Sequence, residues 1–328
     1  MTGVALMSND IAVEESTVEL EVAEKHLAAP DIVTLTLRAT SGEDLPAWTE
    51  GAHVDLVLPN GMTRQYSLCS PVDDLSTYRV GVLRDPASRG GSAYIHDALN
   101  VGERLTMRGP RNHFEFLPSQ HYVFIAGGIG VTPLIPMAIA AQRAGADFEF
   151  IYCARSRSAM AFLTELQDQF GDRLIVNADD ESGLFNLHGY FNETQESTLV
   201  LACGPAPFLD ATVRATKNWP SGTVRFERFE PLEVDDSTNV AFEVELIRSG
   251  KVLEVPKEKS VLSVLKDNGV RVLSSCTEGT CGSCEVAVLG GDPIDHRDAV
   301  LSAEEQASGE MMMVCVSRCE GGRLILDL

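Results

Sequence analysis

The hydrophobic and polar positions in the first third of the chain alternate with a period of two. From about Val18 to Phe116, short runs of this kind are separated by turn residues: VELEVA, DIVTLTLRA, HVDLVL, TRQYSLCS, YRVGVLR and ERLTMRG. Side chains two positions apart lie on the same face of a strand, so each run predicts a strand with one buried face. The succession predicts an antiparallel β-barrel.

The pattern changes at Tyr122, where apolar runs of strand length begin to alternate with helical stretches. The runs are YVFIAGG, FEFIYCA, LIVNAD and TLVLACG, and the helical stretches include PLIPMAIAAQRAG, MAFLTELQDQF and PFLDATVRATK. Strands that alternate with helices predict an α/β domain with a parallel sheet.

The last part of the chain reads as a small α+β module. The segment PLEVDDSTN has turn formers and acids without apolar periodicity, which is typical of a linker. A hairpin-like pair, VAFEVELIRSGKVLEVP, a helix, SVLSVLKDNG, and a cysteine-rich loop follow it. We therefore predict a multidomain protein with an N-terminal tail at 1–17, a β-barrel domain at 18–116, an α/β domain at 117–230, a linker at 231–239 and an α+β domain at 240–328.

Charge and hydropathy restrict the partners and the location of the protein. The chain carries 26 Lys and Arg against 48 Asp and Glu, spread along its whole length. Such a surface repels nucleic acid and anionic membranes and attracts a basic protein, although acidity that only keeps the protein soluble explains it equally well. The uncharged run from Tyr122 to Ala141 contains several Gly and Pro residues, which argues against a membrane span. The start lacks a secretory signal, so a cytoplasmic location is predicted.

Four of the eight cysteines follow the spacing of a plant-type [2Fe–2S] site. Cys276, Cys281 and Cys284 are separated by four and two residues, and Cys315 follows after thirty more. The apolar setting of Cys315 favours it over Cys319 as the fourth ligand. A four-cysteine zinc site is the alternative, but such sites usually pair two CxxC knuckles and this sequence has one.

Two separate segments predict a phosphate site in the barrel domain. In the strand RQYSL, Arg64 and Tyr66 project to the same face, where Arg can grip a phosphate and Tyr can contact a planar ring. The segment RGGS, residues 89–92, precedes the helix AYIHDAL and offers backbone N–H groups at a helix N-terminus. We expect the two segments to form one anion site.

A second glycine-rich turn follows the first strand of the α/β domain. Glycines there let a pyrophosphate approach the backbone, and Pro133 suits the first helical turn. The turn is not the dinucleotide motif GxGxxG, so the residues predict phosphate binding without naming the nucleotide. The turn consists of Gly127, Gly128, Ile129, Gly130, Val131, Thr132 and Pro133.

Together the three motifs resemble the phthalate dioxygenase reductase family, which contains reductases of Rieske-type oxygenases such as vanillate demethylase and carnitine monooxygenase. The resemblance covers about residues 18–328 in the order flavin, nicotinamide, ferredoxin. It implies that Arg64 binds the FMN phosphate, Tyr66 contacts the isoalloxazine and Ser67 lies near flavin N5. The remaining FMN contacts that it implies are Gln65, Leu68, Gly90, Gly91 and Ser92.

The resemblance also implies that the glycine turn binds the NADH pyrophosphate. Cys203, Gly204 and Pro205 would lie beside the nicotinamide, and Phe229 would cover the flavin, so Ser67, Cys203 and Phe229 are the implied catalytic residues. FMN rather than FAD rests on the resemblance. NADH is favoured over NADPH, although Arg155 with its neighbour Arg157 could accept a 2′-phosphate. The segment 295–298, DHRD, matches the family and is interpreted as a structural turn.

These cofactors predict an electron-transfer enzyme. Nicotinamide gives two electrons as hydride and an iron-sulfur cluster accepts one at a time, so a flavin must convert between them. We expect electrons to pass from NADH through FMN and the [2Fe–2S] cluster to a Rieske-type oxygenase, in a monomeric protein. The alternatives are a free ferredoxin or cytochrome as acceptor, or a zinc-binding redox-sensing protein with a vestigial flavin fold.

Overall fold

The structure is a computed structural model, and it describes residues 16–86, 89–194 and 196–328. They form a barrel module, a nucleotide module and a cluster module in chain order. Most of the predicted tail, residues 1–17, lies outside the described residues, and Thr17 already begins the first strand.

The barrel module contains the six predicted strands. They are antiparallel in the order β4-β3-β6-β1-β2-β5, and a bridge between Leu68 and Val80 joins the end of β4 to β5. The inward residues of the alternating pattern, such as Leu35 and Leu37, are fully buried. The elements are β1 Thr17–Ala29, β2 Ile32–Ala39, β3 His53–Val57, β4 Thr63–Ser67, β5 Tyr78–Leu83, helix α1 Gly91–Asp97 and β6 Arg104–Arg111.

The nucleotide module is a five-stranded parallel sheet with helices packed on it. The strand order is β11-β10-β7-β8-β9. The chain adds β8 and β9 on one side of β7 and then returns to add β10 and β11 on the other side. The predicted elements are present, and β11 is an additional short strand. The elements are β7 His121–Gly127, α2 Val131–Arg143, β8 Asp147–Ala154, α3 Leu163–Phe170, β9 Leu174–Ala178, α4 Asp179–Ser182, α5 Leu187–Tyr190, β10 Thr198–Cys203, α6 Ala206–Ala215 and β11 Val224–Glu227.

The uncharged run from Tyr122 to Ala141 is divided between β7 and α2. Its glycines form the turn between the two elements, as their position predicted. Within the described ranges, every helix is too short or too polar to cross a bilayer.

The cluster module is a mixed sheet with two helices. Its strand order is β13-β12-β18-β14-β16, with β12 parallel to β18, and β15 pairs separately with β17. The hairpin and first helix were predicted; the later elements, including the seven-residue strand β14, were not. The elements are β12 Phe242–Leu246, β13 Lys251–Val255, α7 Val261–Asp267, β14 Glu285–Gly291, β15 Ile294–Asp295, α8 Ala303–Ser308, β16 Met311–Met313, β17 Arg318–Cys319 and β18 Arg323–Leu326.

A buried arginine fixes the start of the cluster module to its hairpin and first helix. The Arg318 guanidinium donates to the carbonyl of Lys259 at 2.7 Å and to those of Val240 and Pro256 at 3.0 and 3.1 Å. It also lies over the ring of Phe242, with Arg318 Cζ 5.2 Å from the ring centroid, which is within the range of a cation–π contact. One side chain therefore satisfies three carbonyl groups, one before the hairpin and two in the turn between β13 and α7.

We predict that Arg318→Met destabilises the cluster module by about 2–4 kcal/mol, because three carbonyls lose a charged donor. Differential scanning calorimetry of the whole chain would measure the shift of that module's transition. Arg248→Met is the matched control, since Arg248 pairs with Asp327 at the surface and its loss should leave the transition nearly unchanged. Equal shifts in both variants would contradict the structural role of Arg318.

Candidate functional site

The four predicted cluster ligands lie together in the cluster module. Cys276, Cys281, Cys284 and Cys315 are all buried, and their thiols are free. The thiols of Cys281 and Cys315 donate to the sulfur of Cys276, which holds the pKa of Cys276 well below its ordinary value. Cys315 also contacts Cys284. Because the thiolate is the form that binds metal, this set fits a group held by four sulfur ligands.

The loop backbone turns its polar groups toward these sulfurs. The N–H of Glu278 donates to Cys276 Sγ at 3.3 Å, and the Ser283 hydroxyl lies 3.3 Å from Cys281 Sγ. Gly279 has a φ of +74°, and a Cβ there would lie 2.7 Å from Val316 Cγ2. The glycine is therefore required both by the backbone conformation and by the space around it.

Cys319 lies outside the group of four. Its thiol donates to the carbonyl of Gly321 at 2.8 Å, and burial raises its pKa. The structure thus places Cys315, the residue that the sequence favoured, with the other three cysteines.

The segment DHRD forms a turn that supports the cluster loop. The Asp298 carboxylate accepts from the backbone N–H groups of Val300 and Leu301 at 3.1 and 2.8 Å. The next residue, Ala299, donates to the carbonyl of Gly279 at 2.9 Å. These contacts agree with the interpretation of the segment as structural.

The two predicted phosphate-binding segments of the barrel module meet. A Cβ placed on Gly91 would lie 2.5 Å from Arg64 Nε, so the Arg64 side chain crosses the first turn of α1. Gly90 has a φ of +92°, which favours glycine, and the Ser92 hydroxyl accepts from the N–H of Asp85 at 3.2 Å. A cation and a helix N-terminus therefore converge, as an anion site requires.

The five residues of RQYSL divide between different environments. The Tyr66 ring packs against the barrel core, where burial raises its pKa, and Leu68 lies fully inside that core. The Gln65 side chain turns the other way from Arg64 and donates to Asp55 and Ser275. Strand alternation thus sends neighbouring side chains of this segment to opposite faces, and contact of all five residues with the flavin stays a prediction.

Glu227, which the sequence interpretation missed, lies between the barrel and nucleotide modules. The Ser67 hydroxyl donates to its carboxylate at 3.5 Å, and Cys203 is its partner in the pairing of β10 with β11. Burial raises the pKa of Glu227 to about 8, so the carboxyl is mostly protonated at neutral pH. The only sequence signal was a single acid between arginines and phenylalanines in RFERF. Phe229 lies two residues further on and is 41% exposed.

The glycine turn packs directly against the segment after β10. A Cβ on Gly130 would lie 2.3 Å from the carbonyl oxygen of Cys203, and one on Gly204 would lie 3.0 Å from Gly127 Cα. Pro205 also lies within 3.0 Å of a Cβ on Gly127. β7 and β10 are neighbouring parallel strands, so both segments lie at the carboxyl edge of the sheet, where such sheets bind ligands.

The side chains of the remaining residues of the turn pack against the protein interior. Val131, Thr132 and Pro133 are buried at the start of α2, and the Thr132 hydroxyl donates to the carbonyl of Ile129 at 3.0 Å. Ile129 packs toward Gly81 of the barrel module. Their side chains are thus used in packing, which leaves backbone groups to face a ligand.

Arg155 and Arg157 follow β8 at the same edge of the sheet. Arg155 is exposed, and its carbonyl accepts from the N–H of Asp180 at 3.1 Å. Arg157 Nε lies 3.1 Å from both carboxylate oxygens of Glu181. Glu181 therefore neutralises Arg157.

Comparison with known proteins agrees with this arrangement. The model of the 2Fe-2S iron-sulfur cluster binding domain matches residues 244–320, which include all four grouped cysteines. The chain is 45% identical over 315 residues to the toluene-4-sulfonate monooxygenase system reductase subunit TsaB1 of Comamonas testosteroni, covering 95% of this chain and 99% of that protein.

Two solved structures match nearly the whole chain. An intact type IV self-sufficient cytochrome P450 monooxygenase is 42% identical with a TM-score of 0.89, and the match covers 95% of this chain but 41% of that one. Phthalate dioxygenase reductase, described as a modular structure for electron transfer from pyridine nucleotides to [2Fe–2S], is 37% identical with a TM-score of 0.69. That match covers 95% of this chain and 98% of the reductase.

The cysteine group, the two predicted phosphate-binding regions and full-length similarity to a reductase described as modular all agree with the resemblance seen in the motifs. The chain therefore belongs to the phthalate dioxygenase reductase family, and it is an electron-transfer oxidoreductase with a [2Fe–2S] domain.

Proposed function

We propose that the protein takes hydride from NADH, divides the two electrons at FMN, and passes them singly through the [2Fe–2S] cluster to a Rieske-type oxygenase. One observation carries the proposal: strand β4 contacts both other modules. Ser67 on β4 donates to Glu227 of the nucleotide module at 3.5 Å, and Gln65 on β4 donates to Ser275 of the cluster module at 2.6 Å. The flavin strand thus connects the electron donor to the electron acceptor.

The side chains on the donor side bind and orient the two nucleotides. Arg64 and the N-terminus of α1 hold the FMN phosphate, and the packed glycines of the two loops let the NADH pyrophosphate approach the backbone. The Ser67 hydroxyl and the protonated carboxyl of Glu227 supply hydrogen bonds where the two rings would meet. The bound flavin supplies the conversion between two-electron and one-electron chemistry.

The four cysteines hold the cluster, and the loop backbone donates hydrogen bonds to their sulfurs. Such hydrogen bonds stabilise the added negative charge of a reduced cluster. FMN rather than FAD is supported by the family resemblance and by the two glycines, Gly90 and Gly91, under Arg64.

The charges after β8 and β9 support NADH as the reductant. Of the two arginines at this edge that could accept a 2′-phosphate, Arg157 is bound by both carboxylate oxygens of Glu181, which leaves Arg155. Asp179 and Asp180 add further negative charge in the same short helix, α4. Repulsion between these acids and a phosphate disfavours NADPH.

The acceptor is an oxygenase component of complementary charge. Relatives of this chain are described as reductase subunits of oxygenase systems, including toluene-4-sulfonate monooxygenase, phthalate 4,5-dioxygenase and carnitine monooxygenase. The net charge of −22 would steer a basic docking surface toward the protein. The same charge disfavours nucleic acid and anionic membranes as partners, and we propose that the protein works in the cytoplasm as a monomer.

Anaerobic stopped-flow mixing of the reduced protein with purified oxygenase components tests the acceptor. Rapid oxidation by a Rieske-type oxygenase is expected, at a rate that falls with ionic strength because opposite charges steer the encounter. Faster oxidation by a free ferredoxin or a cytochrome than by every oxygenase would contradict the proposal. A colourless preparation with stoichiometric zinc would exclude the cluster itself.

We predict that Arg64→Ala weakens FMN binding at least tenfold while the iron content stays unchanged. A bidentate charged contact to phosphate is lost, which costs about 1.5–3 kcal/mol per hydrogen bond. Titration of the apoprotein with FMN, followed by quenching of flavin fluorescence, would measure the dissociation constant. Arg38→Ala removes an exposed arginine of the same module and is the control. Unaltered FMN affinity in the Arg64 variant would refute its phosphate contact.

We predict that Cys281→Ser abolishes electron transfer to the oxygenase but leaves NADH-driven reduction of ferricyanide. The cluster lies after the flavin in the proposed order, so losing one sulfur ligand interrupts only the later step. Cys319→Ser is the matched control, because that buried thiol donates to Gly321 and should leave both activities intact. If both activities disappeared in folded Cys281→Ser protein, the order of transfer would be wrong.

We predict that Glu181→Gln raises the ratio of kcat/KM for NADPH to that for NADH by roughly fivefold, as expected for one exposed ion pair. The change frees Arg157 to contact a 2′-phosphate. Steady-state kinetics with both nucleotides and ferricyanide as acceptor would give the ratio. Glu193→Gln, which removes an exposed carboxylate elsewhere in the module, should leave the ratio unchanged. An unchanged ratio for both variants would place the 2′-hydroxyl site elsewhere.

A further inference from the structure

The barrel module contacts the cluster loop, residues 275–284, at both of its ends. Near the start of the loop, the Gln65 amide donates to the Ser275 hydroxyl at 2.6 Å. Near the end, the ring of His113 lies so close to Gly282 that a Cβ there would come within 2.1 Å of the imidazole Nε2. The loop that carries three of the four cysteine ligands is therefore held against the barrel on two sides.

Gln65 is itself fixed by a buried charge. Its amide also donates to Asp55 Oδ1 at 2.7 Å, and the two residues are direct partners in the β3–β4 pairing. Asp55 is fully buried, and its carboxylate lies 2.7 Å from the guanidinium of Arg111 on β6. The chain of contacts from Arg111 through Asp55 and Gln65 to Ser275 thus begins in the sheet of the barrel and ends in the cluster loop.

A third contact joins the same surfaces but contributes less. Arg89 of the phosphate segment lies 3.2 Å from Glu278 of the loop, with side chains 57% and 40% exposed. Exposed ion pairs of this kind are weak and screened by salt. Hydrogen bonds in a buried network that includes a charged group are stronger and more directional. The contact at Ser275 is therefore the better candidate for fixing the position of the cluster loop relative to the barrel.

We propose that Ser275 is a positioning residue for electron transfer from the flavin to the cluster. Ser275 immediately precedes the ligand Cys276, and consecutive Cα atoms are about 3.8 Å apart. The hydrogen bond from Gln65 therefore fixes the backbone of a cluster ligand relative to β4, the strand that also carries Arg64 and Tyr66. Since electron tunnelling weakens steeply with distance, a small displacement of the loop slows this one step. The inference rests on the proposed order of transfer.

The test compares Ser275→Ala, which removes the acceptor, with Ser275→Thr, which keeps the hydroxyl. Ser274→Ala, a half-buried neighbour for which the structure gives no side-chain hydrogen bond, is the matched control. Anaerobic stopped-flow mixing with NADH separates flavin reduction from the later reduction of the cluster. In Ser275→Ala we expect the second rate to fall about tenfold and the first to stay within about twofold, as for a small misplacement of reacting groups. Thr should restore the second rate.

Two further measurements distinguish displacement of the cluster loop from a change in the cluster's redox potential. Hydrogen–deuterium exchange at residues 276–284 should rise in Ser275→Ala and not in the control, because the loop loses its anchor. The midpoint potential of the cluster should be unchanged. A wild-type second rate in Ser275→Ala, or a slower rate explained by a shifted potential, would overturn the inference. Failure of NADH to reduce the flavin of the unmodified protein would instead overturn the proposed function.

Discussion

The arrangement of the three modules depends on the register of β4 in the barrel. In this strand Gln65 pairs with Asp55 and Ser67 pairs with His53, while Arg64 lies across the first turn of α1. Gln65 and Ser67 therefore project to the face that meets the other modules, and Arg64 and Tyr66 project to the opposite one. A slip of one residue would exchange these faces and break the contacts with both modules at once. The closed barrel, with its fully buried inward residues, prevents such a slip.

The buried ion pair of Asp55 and Arg111, which supports the contact between the barrel and the cluster loop, is costly in free energy. Desolvation is the largest influence on both Asp55 and Arg111, raising the pKa of the acid and lowering the pKa of the arginine. In each group burial thus opposes the charged form. A buried ion pair contributes little net stability compared with apolar residues of the same volume, so stability alone does not account for it. The hydrogen bond from Gln65 to Asp55 fixes the position of the Gln65 side chain. This favours a role of the ion pair in positioning the cluster loop relative to the barrel.

The sequence predicted elements wherever a long regular pattern was set by burial. Six barrel strands and the alternating elements of the nucleotide module were found because their period continues over many residues. The strands after Cys284 were missed. β15 to β18 have two to four residues and carry no measurable period, but the seven-residue β14 was missed as well. The start of α8 could have been found, because Ser302 and Glu305 form a capping box with the spacing S-x-x-E.

The candidate site shows the same division between local and long-range information. Cysteine spacing located the ligands, and the structure placed Cys315 with them because β16 pairs with β14 beside the loop. Glu227 and Asp55 were missed because an acid in a strand usually faces solvent. The residues next to either acid in the sequence do not show that another module covers its carboxyl group.

The same limit explains Gln65. The sequence analysis counted it among the implied FMN contacts, and strand alternation alone could not show which module lies on the side opposite Arg64. That information resides in contacts between residues about 210 positions apart, such as Gln65 with Ser275. Motifs therefore identified what each module binds, whereas only the folded chain showed how one strand lies between the two sites. In the proposed order of transfer, this strand therefore connects the two predicted binding sites.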